Sequence, residues 1–164
     1  QRMIRLTLRL GNVISWSRST TELVLGVDAP AAAYSMNTGS VRVTERYLAD
    51  GVTPAAEAAA RTVSASNLLK CAVAGADPNW GRVLSQLGTV PEDVCPFDPD
   101  AVDVAINGTT IFRHGGPGDD PDLVDMSPRE IRIDIDLSAG DARATVWTND
   151  LTHGYVTING DYTT

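Results

Sequence analysis

Residues 130–137 read Glu-Ile-Arg-Ile-Asp-Ile-Asp-Leu, and this alternation constrains the fold more than any other stretch. In an extended chain Ile131, Ile133, Ile135 and Leu137 share one face, while Glu130, Arg132, Asp134 and Asp136 share the other. Such a strand needs an apolar cover on one side and water on the other, as in an antiparallel sheet covered on a single face. The same alternation recurs in weaker form. Ile4, Leu6, Leu8 and Leu10 share a face over residues 4–10, and Val102, Val104 and Ile106 do so further on. Asn107-Gly108 is a strong two-residue hairpin signal and predicts a returning strand over 109–113. Residues 138–141 predict a turn that brings 142–148 back as the hairpin partner of 130–137, with Trp147 and Val146 on opposite faces. A weak strand pattern occupies 22–27 and a firmer one 41–45.

The cover comes from the middle of the chain. Thr53-Pro54 can open an alanine-rich helix reaching about Ser64, with Glu57 in its first turn. Ser66 can cap a second helix that turns Leu68, Leu69 and Ala72 to the core before Gly75 stops it. Asp77 can cap a third, with Pro78 at its first position. Trp80, Val83, Leu84 and Leu87 then recur on one face up to Gly88. Near the end Leu151, Tyr155, Ile158 or Asn159, and Tyr162 recur at helical spacing, although Gly154 and Gly160 weaken that helix. The fold class expected is α+β, helices packed on one face of a largely antiparallel sheet. Only Glu22 and Asp28 of the 21 acidic residues precede residue 41. That shift predicts a boundary, with 1–40 an atypical segment adding little to a cooperative unit over 41–164.

A net charge of −8 and a pI near 4.6 argue against nucleic acid or an anionic membrane as partner. No apolar run reaches membrane-spanning length and no basic-then-apolar leader opens the chain, so the expected location is the cytoplasm. Cys71 and Cys95 lack metal-site or CxxC spacing and are expected to be buried free thiols. His114 and His153 have no cysteine or carboxylate at catalytic or metal spacing and are expected to be structural or solvated. Neither a metal nor a cofactor is called for. The glycine-rich loop over 114–122 is too acidic to cradle phosphate. Lys70 is the chain's single lysine.

Leu68-Leu69-Lys70-Cys71-Ala72, followed by Gly75-Ala76-Asp77-Pro78-Asn79-Trp80-Gly81-Arg82-Val83-Leu84, resembles the signature of the ornithine acetyltransferase family, also called glutamate N-acetyltransferase, of arginine biosynthesis. Thr148-Asn149-Asp150-Leu151-Thr152, then Tyr155-Val156, Asn159 and Tyr162-Thr163-Thr164, is similar to that family's ending. The likeness runs from about Val41 to Thr164 and implies the C-terminal part of a β chain. It further implies a cytoplasmic acyltransferase that moves acetyl from N2-acetylornithine to glutamate, releases ornithine, and works as paired α and β chains. The resemblance admits acetyl-CoA as a further donor. In the family the precursor cleaves itself before a threonine, whose own amine can then serve as the base for its hydroxyl.

The chain departs from that pattern at its start. Gln1-Arg2-Met3 does not resemble the family's nucleophile segment, Thr7 alternates within a strand, and no residue here inherits the catalytic role. Asn37-Thr38-Gly39-Ser40 stands where the family has an acidic, glycine-rich stretch. Two positions carry over as substrate contacts, Asn159 and Thr164; an amide, a hydroxyl and a terminal carboxylate can together hold an amino acid's charged ends. Asp77 to Arg82 is expected to form scaffold behind them. Two functions follow: an acetyltransferase portion whose nucleophile lies elsewhere, or a catalytically inactive remnant serving assembly or amino-acid binding.

Overall fold

The computed structural model describes residues 1–10 and 54–161. The strands expected at 22–27 and 41–45, the cap at Thr53, and Thr164 lie outside the described residues. Within them the elements are β1 (Met3–Arg9), α1 (Pro54–Ala65), α2 (Asn67–Ala74), α3 (Trp80–Leu87), β2 (Asp103–Ile106), β3 (Thr109–Arg113), β4 (Gly116–Pro117), β5 (Glu130–Asp136), β6 (Arg143–Asn149) and α4 (His153–Gly160). The strands form one sheet in the order β4-β3-β2-β5-β1-β6. Only β1 and β5 run parallel; every other pairing is antiparallel. The α+β class holds.

The sheet has one dry face. Ile4, Leu6, Leu8, Ile131, Ile133, Ile135, Ala144 and Val146 are buried there, under α1, which packs on β1 and β6. Its inward residues Ala56, Ala59, Ala60 and Val63 are all buried, and three of these are alanines, so helix and sheet approach closely. The other face is polar. Arg5 pairs with Glu130 at 3.2 Å, Arg132 with Asp134 at 3.0 Å, and the Arg5 guanidinium lies 5.8 Å from the centre of the Trp147 ring.

Two expectations fail around β1. Strand β6 is not the hairpin partner of β5, because β1 lies between them: Leu6 sits opposite Ile133 on one side and Val146 on the other. The link from β5 to β6 instead wraps the end of β1, where Leu137 N–H donates to Arg9 O at 2.8 Å and Leu10 N–H donates to Ala142 O at 2.7 Å. Nor does the start of the chain stand apart from the main unit, since Met3–Arg9 is an interior strand of the sheet. Pairing on both edges and a wholly buried apolar face outweigh the composition shift that suggested a boundary.

Asn107-Gly108 does make the hairpin between β2 and β3, with φ of 49° and 89°. Both values are positive, as a type I′ turn requires. The Asn107 side chain ties this turn to its surroundings, accepting from Arg132 N–H at 2.8 Å and donating to Asp125 O at 2.7 Å. Part of the acidic loop is ordered as β4, which pairs with the end of β3.

Candidate functional site

The signature stretch folds into α2, a tight turn and α3. Ser66 caps α2, its hydroxyl accepting from Leu69 N–H at 3.2 Å. Leu69, Ala72 and Val73 face the core, but Leu68 is 64% exposed, against expectation. Eight residues give barely two turns, and Leu68 falls off the inward stripe that Leu69, Ala72 and Val73 define. Cys71 is likewise exposed, which corrects its reading as a buried thiol, whereas Cys95 is buried. Burial pushes the Cys95 thiol above its usual pKa.

The cap of α3 is Asn79, not Asp77, and Trp80 rather than Pro78 takes the first helical position. Asn79 Oδ1 accepts from Arg82 N–H at 3.0 Å, the spacing an N-cap needs to reach the third helical amide. Asp77 steadies that cap from outside, accepting from Asn79 Nδ2 at 2.9 Å, while its own N–H donates to Ala72 O at 2.9 Å. Arg82 returns to α2, donating to Leu68 O at 2.7 Å. Trp80 stacks on Phe112 with ring centres 4.8 Å apart. Asp77, Pro78, Asn79, Trp80, Gly81 and Pro121 line an open hollow of about 240 Å³. Asp77, Asn79 and Arg82 all bond within the protein, which braces the turn between α2 and α3.

The second half of the likeness follows β6, the strand at one edge of the sheet. Strand β6 ends at Asn149, and Asp150 follows, only 2% exposed. Its N–H donates to Arg2 O at 3.2 Å, and the next amide, of Leu151, donates to Lys70 O at 3.2 Å. These bonds join the residue before β1, the turn after β6 and the signature helix α2 at one corner. Burial lowers the Lys70 pKa below its ordinary value. Sequence reasoning singled out neither Asp150 nor its junction with Lys70. The available signal was parity: residues 144, 146, 148 and 150 share the covered face, so an acid at 150 enters the protein.

Thr152 caps α4, accepting from Tyr155 N–H at 3.3 Å, and no residue of α4 is buried. Tyr155, Val156 and Ile158 are exposed. Asn159 is exposed too, donating Nδ2 to Tyr155 O at 2.8 Å, and its Oδ1 makes no hydrogen bond to another described residue. The Thr7 hydroxyl lies 3.2 Å from that of Thr145, on the polar face of the sheet, where it has a structural partner rather than a base. His114 lies 3.5 Å from an oxygen of Asp103 and is largely exposed. Among the described residues no group of three or more His, Cys, Asp and Glu could hold a metal, and no helix is long and apolar enough to cross a membrane.

A family model described as the ArgJ family matches residues 40–164. The curated Arginine biosynthesis bifunctional protein ArgJ of Bifidobacterium longum is 62% identical over 109 residues, covering 66% of this chain and 28% of that protein. Its namesake from Streptomyces coelicolor is 56% identical over 102 residues, covering 62% of this chain and 26% of that protein. The chain therefore spans little more than a quarter of these relatives. Among solved structures, an Arginine biosynthesis bifunctional protein argJ from Bacillus halodurans matches with a TM-score of 0.65 at 19% identity, over 98% of this chain and 58% of that one. That last likeness is one of fold.

Proposed function

Because the chain belongs to the ArgJ family, we propose that it is the C-terminal part of the β chain of a cytoplasmic glutamate N-acetyltransferase of arginine biosynthesis. Residues 41–164 are the family's portion, and residues 1–40 stand outside its pattern. The reaction carries acetyl from N2-acetylornithine to glutamate and releases ornithine, with acetyl-CoA a further candidate donor. Attack comes from a threonine on a segment outside these 164 residues, and an α chain completes the assembly. The observation that carries this reading is the family match over 40–164, which takes in both the Asp77–Leu84 signature and the turn after β6. The short share of each relative that is covered supports placing the nucleophile elsewhere.

Asn159 and Thr164 are the proposed substrate contacts. An exposed amide whose Oδ1 bonds to no other described residue supports this for Asn159, whereas Asp77 and Asn79 are already engaged with each other. In the assembled protein Asn159→Ala and removal of Thr164 each weaken ornithine binding by about 1–3 kcal/mol, the cost of leaving a polar group unpaired. Asn79→Ala leaves affinity unchanged. Normal binding by the tail variants with loss in Asn79→Ala would transfer the site to the signature hollow.

A further inference from the structure

The polar face of the sheet carries one row of charges whose order is unfavourable within the chain. Strand pairing sets Arg143 beside Arg9, Arg9 beside Asp136, and Asp136 beside Asp103. Across the adjacent strands β6, β1, β5 and β2 the row therefore reads plus, plus, minus, minus. All four residues alternate with the buried Ala144, Leu8, Ile135 and Val104 and so stand on the face away from α1. Arg9 and Arg143 are exposed, and Asp136 and Asp103 are partly so. Like charges directly opposite on paired strands are destabilising, and this row holds two such pairs, Arg9 with Arg143 and Asp103 with Asp136. The other charges of the face are matched inside the chain, Arg5 by Glu130 and Arg132 by Asp134. Arg9 makes no ion pair with a described residue.

We propose that this face binds a second copy of the chain, sheet on sheet, about a two-fold axis that runs along the strands between β1 and β5. Rotation about that axis keeps the row at its level and reverses its order, so plus, plus, minus, minus meets minus, minus, plus, plus. Arg9 of each copy then faces Asp136 of the other, and Arg143 faces Asp103. A two-fold axis laid along the row would instead set plus on plus. The adjoining row, Thr145, Thr7, Asp134 and Ala105, consists of short side chains, which lets the sheets approach to the ~10 Å of face-to-face packing. At the next level Arg5 comes opposite Arg132, but each already holds its own carboxylate. Four strands at about 4.8 Å spacing and seven residues at about 3.3 Å each cover roughly 440 Å² per copy, at the low end for a specific contact. The dimer is therefore weak and depends on its ion pairs. It uses neither Asn159 nor a nucleophile, and it stands independently of the acetyl-transfer reading.

The test is sedimentation velocity of the 164-residue chain over a range of concentrations at low and high salt, with circular dichroism to check that each variant is folded. The expected result is a monomer–dimer equilibrium whose affinity falls by about tenfold or more between ~0.02 M and ~0.5 M salt. R9E and D136R should each abolish the dimer, because each sets like charges against one another across the axis. An equimolar mixture of the two variants should restore it, since their altered charges then meet as opposites, a rescue that a purely structural role for either residue would not produce. The proposal is overturned by a monomer at every concentration, as would follow if residues 11–53 covered this face, by a dimer that high salt or R9E leaves intact, or by a mixture that stays monomeric. If D136R does not fold, the salt dependence and R9E decide alone.

Discussion

Leu6→Ala tests whether the start of the chain belongs to the core. Leu6 is 0% exposed, faces Ile133 and Val146 across two strand pairings, and lies beneath α1. Truncation removes the equivalent of three methylene groups, about 2.4 kcal/mol at 0.8 kcal/mol each. A cavity term adds to this, because β1 is hydrogen-bonded on both edges and cannot shift to fill the gap. The total is then about 3–4 kcal/mol, within the range for buried Leu→Ala changes and a large share of a typical domain's stability. Thr7→Ala on the polar face provides the contrast: it loses one half-buried hydroxyl contact and should cost about 1 kcal/mol or less. Urea denaturation of both variants, followed by circular dichroism, reads the difference as a shift in midpoint at constant slope. A cost below about 1 kcal/mol for Leu6→Ala, or an unchanged midpoint on deleting residues 1–10, would refute the interior placement of β1 and restore a boundary after residue 40.

Further outcomes follow from the same geometry. Asn79→Ala should cost about 0.5–2 kcal/mol through loss of the α3 cap, with Asp77→Ala costing less because it only steadies Asn79; thermal melts of the two variants check the order. A maleimide reagent should label Cys71 quickly in the folded chain and reach Cys95 only on unfolding, as exposure and the raised Cys95 pKa require; equal rates would contradict the packing. Lys70 has a folded pKa below its unfolded value of 10.5, so folding disfavours its charged form. Stability should therefore be fully relieved of this penalty above 10.5 and lose ground as pH falls through the folded pKa. Denaturation midpoints of wild type and Lys70→Met should accordingly converge with rising pH between 8 and 11, about the lysine range.

What the sequence revealed was local. The alternation over 130–137, the Asn107-Gly108 turn and the Ser66 cap each depend on residues a few places apart, and each is found as read. What it concealed depends on distant partners. Nothing between residues 137 and 142 announces that β1, more than a hundred positions away, slips between β5 and β6. A short link predicts a hairpin because sequence neighbours usually pair, and here a parallel strand displaces that pairing. The α3 cap was misplaced by two residues because Asp77, Pro78 and Asn79 all suit a helix start, and only the bond from Arg82 N–H to Asn79 Oδ1 decides among them. Of the candidate contacts, Asn159 came from resemblance alone, since an exposed helical asparagine has no signal of its own. Asp150 was legible only once β6 had a covered face.

The function we propose for this chain is that of a part of an acetyltransferase whose nucleophile lies elsewhere. Its most direct test is to incubate N2-acetylornithine carrying an isotope-labelled acetyl group with glutamate and follow labelled N-acetylglutamate by mass spectrometry. The chain alone should form none, and the chain co-expressed with the family's N-terminal segments should form it, with Asn159→Ala slowing the transfer. Transfer by the purified chain alone that disappears in Thr7→Ala, or a correctly assembled complex that never transfers the label, would contradict the account.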